Sequence, residues 1–231
     1  MRAARRVALA CLLLALLLFG TWRYALDWHP PERDYPAQGI DVSHHQGRID
    51  WLAVKGEGVD FAYIKATEGG DHRDRRFAEN WRGTAAAGIR RGAYHFFTLC
   101  RPGADQAANF IAAVPAEPGA LPPAVDLEQL GNCARRLPLE AFHAELATFI
   151  RTVEAHYRKP VLLYLTADFD RAYQVSARVR RPLWLRSIVF EPRFGARPWH
   201  MWQASSFRRI DGIRGSVDWN VARRPESNST R

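Results

Sequence analysis

The chain has 231 residues, enough for one sizeable hydrophobic core. Hydrophobic residues make up 47% and aromatic residues 12%, a composition that excludes a disordered chain. The net charge is +9, carried almost wholly by arginine, with short clusters at Arg73/Arg75/Arg76, Arg178/Arg180/Arg181 and Arg223/Arg224. No stripe of basic and aromatic residues emerges, so nucleic acid is not an expected partner; weak attraction to an anionic polymer is compatible with the charge.

Arg2, Arg5 and Arg6 precede an apolar run from Val7 to Phe19, the charged region and apolar core of an export signal. Residues 20–26 extend the run, and Trp22 and Tyr24 are of the kind found at membrane interfaces. No small-x-small cleavage site is evident. Residues 1–26 therefore read first as an uncleaved anchor, with a cleaved signal peptide as the alternative. Cys11 lies too early to be a lipid-attachment cysteine. The expected location is exported, periplasmic or extracytoplasmic, with the segment as an inner-membrane anchor and the only membrane contact. Residues 27–38, with Pro30, Pro31 and Pro36, read as a linker. The folded domain is expected over 39–224 and a flexible tail over 225–231, where Asn228-Ser229-Thr230 fits a glycosylation acceptor.

Eight apolar segments read as strands in chain order: Gly39–Ser43, Phe61–Thr67, Gly92–Phe97, Ala124–Glu128, Val161–Leu165, Leu183–Leu185, His200–Ala204 and Val217–Asn220. Helices are expected over Asp74–Ala87, Ala104–Val114 and Leu139–Tyr157. In the last of these, Phe142, Leu146, Phe149 and Val153 recur at helical spacing. Gly88 ends the first as a C-terminal glycine should. Strands alternating with helices imply a parallel sheet. Eight strands, with little helix after the fifth, point to a compact α/β fold: a modified TIM-like (β/α) barrel with about five helices. An open doubly wound sheet is the alternative, although no phosphate-cradling glycine loop follows any strand.

Carboxylates at the ends of apolar strands are the main chemical signal, because a charge there is costly without a task. Asp126 and Glu128 are two apart on one strand. Alternation puts them on one face with Cα atoms about 6–7 Å apart. Mutual repulsion tends to keep one protonated near neutrality, which is what glycoside hydrolysis needs. The bland alternative is a loop-capping Asp and an exposed Glu. Asp41 ends the first strand and Asp218 lies in the last; barrel closure would make those strands neighbours and bring four carboxylates to one mouth. Tyr94, Tyr164, Trp202 and Trp219 sit in or near strand ends, and such faces stack on sugar rings.

Asp41-Val42-Ser43-His44-His45-Gln46-Gly47 resembles the Asp-x-Ser-x-x-Gln start of the glycoside hydrolase family 25 lysozymes. Residues 61–69, Gly92-Ala93-Tyr94-His95-Phe96, Val125-Asp126-Leu127-Glu128 and Val217-Asp218-Trp219-Asn220 follow in family order. The resemblance implies a β-1,4-N-acetylmuramidase acting on peptidoglycan glycan strands, on a barrel with five α-connections. It makes Glu128 the proton donor. It makes Asp126 either a nucleophile or the partner that orients the substrate's acetamido group. Asp41 and Asp218 become supporting acids, and Lys65, Glu68, Tyr94, Tyr164, Trp202 and Gln203 groove residues. Leu185-Arg186-Ser187 departs from the family's small residue and aromatic, which puts substrate contacts from the sixth strand in doubt. A non-catalytic glycan-binding module and a hydrolase of a related polymer such as chitin are the competing readings.

His44-His45 lacks a third ligand at suitable spacing, so no metal and no cofactor are expected. Ser43 and Ser187 lack the elbow of a nucleophilic serine, and residues 71–74 lack the ligand pattern of a calcium loop. Outside the N-terminal segment the chain has two cysteines, Cys100 and Cys133, which are either free thiols or one disulfide. They follow the third and fourth strands, whose loops share one rim, and this favours the bridge. A monomer is expected.

Overall fold

A computed structural model describes residues 2–223. The predicted tail and the Asn228 acceptor lie outside the described residues. In chain order the elements are α1 (Arg2–Asp27), β1 (Ala37–Val42), a 3-10 turn (His44–Gln46), α2 (Trp51–Gly56), β2 (Phe61–Glu68), β3 (His72–Arg73), α3 (Phe77–Ala86), β4 (Arg90–Phe96) and α4 (Gly103–Ala113). Then follow β5 (Ala124–Leu127), α5 (Leu139–Tyr157), β6 (Leu162–Leu165), α6 (Ala167–Tyr173), α7 (Val175–Arg178), β7 (Leu183–Arg186), β8 (Met201–Arg208) and β9 (Val217–Ala222).

Eight strands close into a barrel in the order β1-β9-β8-β7-β6-β5-β4-β2, with β2 returning to β1; β3 is a short ribbon on β2. Five helical connections join strands β1 to β7: α2, α3, α4, α5 and the α6–α7 pair, which is split at Gln174 in the left-handed region. With α1, the described residues contain seven α-helices.

The expectation of a parallel sheet is corrected at one strand. β9 runs antiparallel to both β8 and β1. Residues 209–216 join β8 to β9 without a helix. A parallel return would need a crossover of a dozen or more residues, so the chain turns back as a hairpin. The helix expected from Asp74 begins instead at Phe77. Asp74 is spent on the loop before it, accepting from the backbone N–H of His44 at 2.9 Å and of Arg76 at 2.8 Å.

Alternation sorts the side chains into two apolar regions. Outward residues such as Ile40, Ile64, Val125, Leu127, Leu163 and Leu185 form the main core with the helices, including Phe110, Phe142, Leu146 and Phe149. Inward residues Phe61, Tyr63, Leu162, Tyr164, Trp184 and Met201 fill the barrel. Gly39 and Gly92 make that filling fit: a Cβ at either would collide with the ring of Phe61 or Tyr63.

The segment read as a linker lies on the barrel. Leu26 accepts from the Arg209 N–H at 3.0 Å, and Trp28 and Tyr35 pack on the main core. Tyr35 meets Trp199 and Trp202, with ring centroids 6.0 and 5.7 Å apart. Buried Gln38 donates to the carbonyls of Pro30 and Tyr35 and accepts from Trp219 Nε1 at 2.6 Å. Among the described residues no helix follows β8 or β9, so their outward face needs another cover, and residues 26–38 supply it. The prolines and charges in this stretch hid the two aromatic side chains that do the covering.

Candidate active site

The acids stand at one mouth because inward positions of three strands converge there. In β1, Ile40 and Val42 point to the outer core, which leaves Asp41 facing in. In β9, Trp219 and Val221 point out, which leaves Asp218 and Asn220 facing in. Asp41 and Asp218 are direct partners across the closing pair of strands. In β5, Val125 and Leu127 point out and Asp126 points in; Glu128 continues the alternation one residue beyond the strand.

These four carboxylates line two adjoining hollows of about 330 and 390 Å³. Tyr94, Tyr164 and Gln203 line the first, and Lys65 and Glu68 line the second. The Tyr164 hydroxyl donates to Gln203 Oε1 at 2.5 Å. Lys65 Nζ pairs with Glu68 at 2.7 Å and sits 4.9 Å over the Phe96 ring. The Asn220 amide donates to Asp41 Oδ2 at 2.8 Å and accepts from Trp184 Nε1 at 2.8 Å. A further cavity of about 350 Å³, between Trp81, Phe110 and Tyr157, has one carboxylate, Glu117, already paired with Arg91.

One predicted groove residue is not at the groove. Trp202 is buried on the outer face, donates to the Ser187 carbonyl at 2.5 Å and packs on Tyr35 and Trp199. Its neighbour Gln203 takes the inward position, so alternation excludes Trp202 from it. Trp219 faces outward for the same reason. The inward tryptophan is Trp184, 4.9 Å from Tyr164 and 5.1 Å from Tyr63 between ring centroids.

The electrostatics follow from placing four acids over an aromatic floor. Burial, and then repulsion from Glu128, holds the Asp126 carboxyl well above the usual range. Burial pushes Glu128 up to about 7, against the pull of Arg186 and Lys65. Burial and the facing Asp218 raise Asp41 well above its ordinary value, although the Asn220 amide lowers it. Asp218 is pushed up to about 6 by burial, against Gln203 and Arg186. Asp126 Oδ1 is buried and has no hydrogen-bond partner among the described residues, whereas Asp41 is held by Asn220.

The loops beside Glu128 are stapled. Cys100 and Cys133 form a disulfide, with Cα atoms 6.2 Å apart. Next to it, Asn132 donates to the carbonyls of Phe97 and Glu128 at 2.9 and 3.1 Å, and accepts from Leu99 N–H at 3.0 Å. Asn132 thus fixes the backbone that carries Glu128 to the end of β4. Sequence reading missed Asn132, Asn220, Trp184 and Arg186. The spacing of Trp184 and Arg186, two apart in a four-residue strand, was the signal that could have placed both on the inner face.

Comparison with known proteins agrees with this geometry. The profile of the glycosyl hydrolases family 25 matches residues 40–213, which covers the barrel except β9. Lysozyme M1 of Streptomyces globisporus is 36% identical over 200 residues, 79% of this chain and 66% of that protein. A family 25 glycosyl hydrolase from Bacillus anthracis superposes with a TM-score of 0.79 at 35% identity, covering 86% of this chain and 93% of that one. The bacterial lysozyme from Streptomyces coelicolor superposes with a TM-score of 0.75 at 33% identity, covering 82% and 93% of the two chains. The chain therefore belongs to glycosyl hydrolases family 25 and is an enzyme of the lysozyme kind, a hydrolase of glycosidic bonds in peptidoglycan.

Proposed function

We propose that this enzyme cuts the β-1,4 bond between N-acetylmuramic acid and N-acetylglucosamine, with Glu128 as general acid and Asp126 as the group that sets the substrate's acetamido for attack. The observation that supports this most is the convergence of Asp126 and Glu128 with Asp41 and Asp218 in one hollow, with Glu128 holding its proton up to about pH 7. Glu128 gives that proton to the glycosidic oxygen as the bond to the anomeric carbon breaks. The acetamido carbonyl oxygen closes on the anomeric carbon. Asp126, whose Oδ1 has no protein partner, accepts the acetamido N–H and so makes that oxygen a better nucleophile. Water then opens the ring intermediate, Glu128 takes its proton, and the product keeps its anomeric configuration. Asp41 and Asp218 face the same sugar, and the negative charge they hold together stabilises the oxocarbenium-like transition state. All four acids come from one chain, and the enzyme acts as a monomer in this reading.

The same reading keeps α1 as a membrane anchor on an exported enzyme. Leu9–Asp27 is long and apolar enough to cross a membrane. Residues 26–38 are part of the barrel's cover, and cleavage beyond Tyr35 would uncover Trp199 and Trp202. Fractionation of cells making the chain should find the full-length form in membranes; a shortened form in the soluble fraction refutes the anchor.

Glu128→Gln should lower reducing-end release from purified peptidoglycan by at least about 1,000-fold. Wild-type kcat/KM should fall about tenfold per pH unit above about pH 7, as Glu128 loses its proton. Retained lysis in the variant, or cleavage of chitin but not of peptidoglycan by the wild type, refutes the assignment.

The variant should also be the more stable protein at neutral to mildly alkaline pH. The folded state binds the Glu128 proton more tightly than the unfolded chain, about 7 against 4.5, so this group's contribution to stability is full below 4.5 and is lost as pH rises through 7. Glutamine has no proton to lose. Its melting temperature should exceed the wild type's by several degrees near pH 8, with the gap closing towards pH 4. A gap that does not change with pH would contradict the burial of Glu128.

Removal of the N-acetyl group from the muramic acid residue should cost the wild type about 100-fold or more in kcat. The same change should cost Asp126→Ala much less, because its loss is already taken. Equal losses in the two proteins, or a covalent sugar on Asp126 in trapped enzyme, would replace acetamido assistance with direct attack by Asp126.

A further inference from the structure

Arg186 ends β7 and points into the barrel with Trp184, while Leu183 and Leu185 join the outer core. It lines the hollow that holds Asp41, Asp126, Glu128 and Asp218. Lys65, the other cation of the mouth, is occupied by Glu68. Arg181 on the surface is likewise occupied, with both arms of its fork on Glu154. Arg186 is different: among the described residues it is in no ion pair and donates no side-chain hydrogen bond, and it is half-buried.

A hollow with four carboxylates repels an anionic ligand unless a cation meets the ligand's charge. A guanidinium does this best for a carboxylate, through two parallel N–H···O bonds. In peptidoglycan every muramic acid carries a lactyl ether. Its carboxyl group is neutral where a peptide is attached by an amide bond, and negative where the peptide is gone. A sugar placed against Glu128 and Asp126 shares one hollow with Arg186. We propose that Arg186 is a specificity-determining residue that pairs with the free lactyl carboxylate beside the scissile bond, so that this enzyme prefers peptide-free glycan. The proposal rests on the muramidase reading. A hydrolase of the lactyl amide must then act before this enzyme, supplying its preferred substrate.

The test uses the full chain in detergent and three glycans from one wall preparation: peptide-bearing strands, strands freed of peptide, and peptide-free strands whose carboxyl groups are converted to methylamides. The wild type should cut free-carboxylate glycan with a kcat/KM at least about tenfold above that for the other two. The methylamide separates charge from bulk. Relative to the methylamide, Arg186→Ala should lose about 10-fold or more on the free-carboxylate glycan, which brings the ratio near one; a change common to both glycans reports the pull of Arg186 on Glu128. Arg186→Lys should recover part of the preference, because it keeps the charge but not the fork. A wild type indifferent to the carboxylate, or an alanine variant that loses equally on all three, overturns the proposal; the first of these needs no variant to fold. No cleavage of any glycan by the wild type would instead overturn the muramidase reading itself.

Discussion

Everything at the mouth depends on how the barrel is closed. β9 enters between β8 and β1 in the antiparallel sense, which sets Asp218 opposite Asp41 although 176 positions, from 42 to 217, separate them in the chain. The same strand delivers Asn220 to Asp41 and Trp184, and turns Trp219 outward. A shift of β9 by one residue would exchange its inward and outward sets, sending Asp218 and Asn220 to the outer core and Trp219 into the pocket. Register at one seam is therefore the condition for the acid cluster, for the link to β7, and for the surface on which the N-terminal segment lies.

The cluster opposes the fold that holds it. Four carboxylates above an aromatic floor are each easier to protonate than in water, so at neutral pH each is held less favourably in the folded state than in the unfolded chain. That burial is also what keeps the proton on Glu128 up to about pH 7. The surrounding structure offsets the strain of this arrangement close to where it arises. The Cys100–Cys133 bridge, closing a loop with a sequence separation of 33, is worth on the order of 4 kcal/mol by chain entropy. Asn132 ties three backbone groups of the two adjacent loops together. The large core outside the sheet, with Phe97 edge-on to Phe142 and Phe149 and Phe110 tilted against Phe149, keeps the strands in place.

The N-terminal region shows how composition can mislead about packing. Residues 27–38 are rich in proline and charge, which is the signature of a separating linker, yet Trp28 and Tyr35 lie against the barrel. The cause is at the other end of the chain. β8 and β9 are joined without a helix, so their outward tryptophans lack the cover that α2 to α7 give the other strands. Arg208, stacked 3.6 Å over Trp219, is part of the same patch. An exposed apolar face recruits whatever aromatic side chains can reach it.

The amino-acid sequence alone determined the eight barrel strands, the long helix Leu139–Tyr157, the carboxylates worth attention and the cysteine pair. It could do so because alternation, helical spacing and acids at strand ends are local patterns. The inward positions of Asp126 and Glu128 were legible for the same reason, being two apart on one strand. Tertiary structure alone decided the direction of β9, the cover formed by residues 26–38, and which aromatics line the hollow. Trp202 looked like a groove residue because it neighbours the mouth in sequence. Trp184 is the tryptophan that faces in, because side-chain direction depends on which face of a closed barrel each strand turns inward. Arg186 is the clearest case. In the sequence it was a departure from a pattern; in the fold it is a cation without an ion-pair partner among the described residues, beside four acids, and only the closed barrel puts those groups in one hollow.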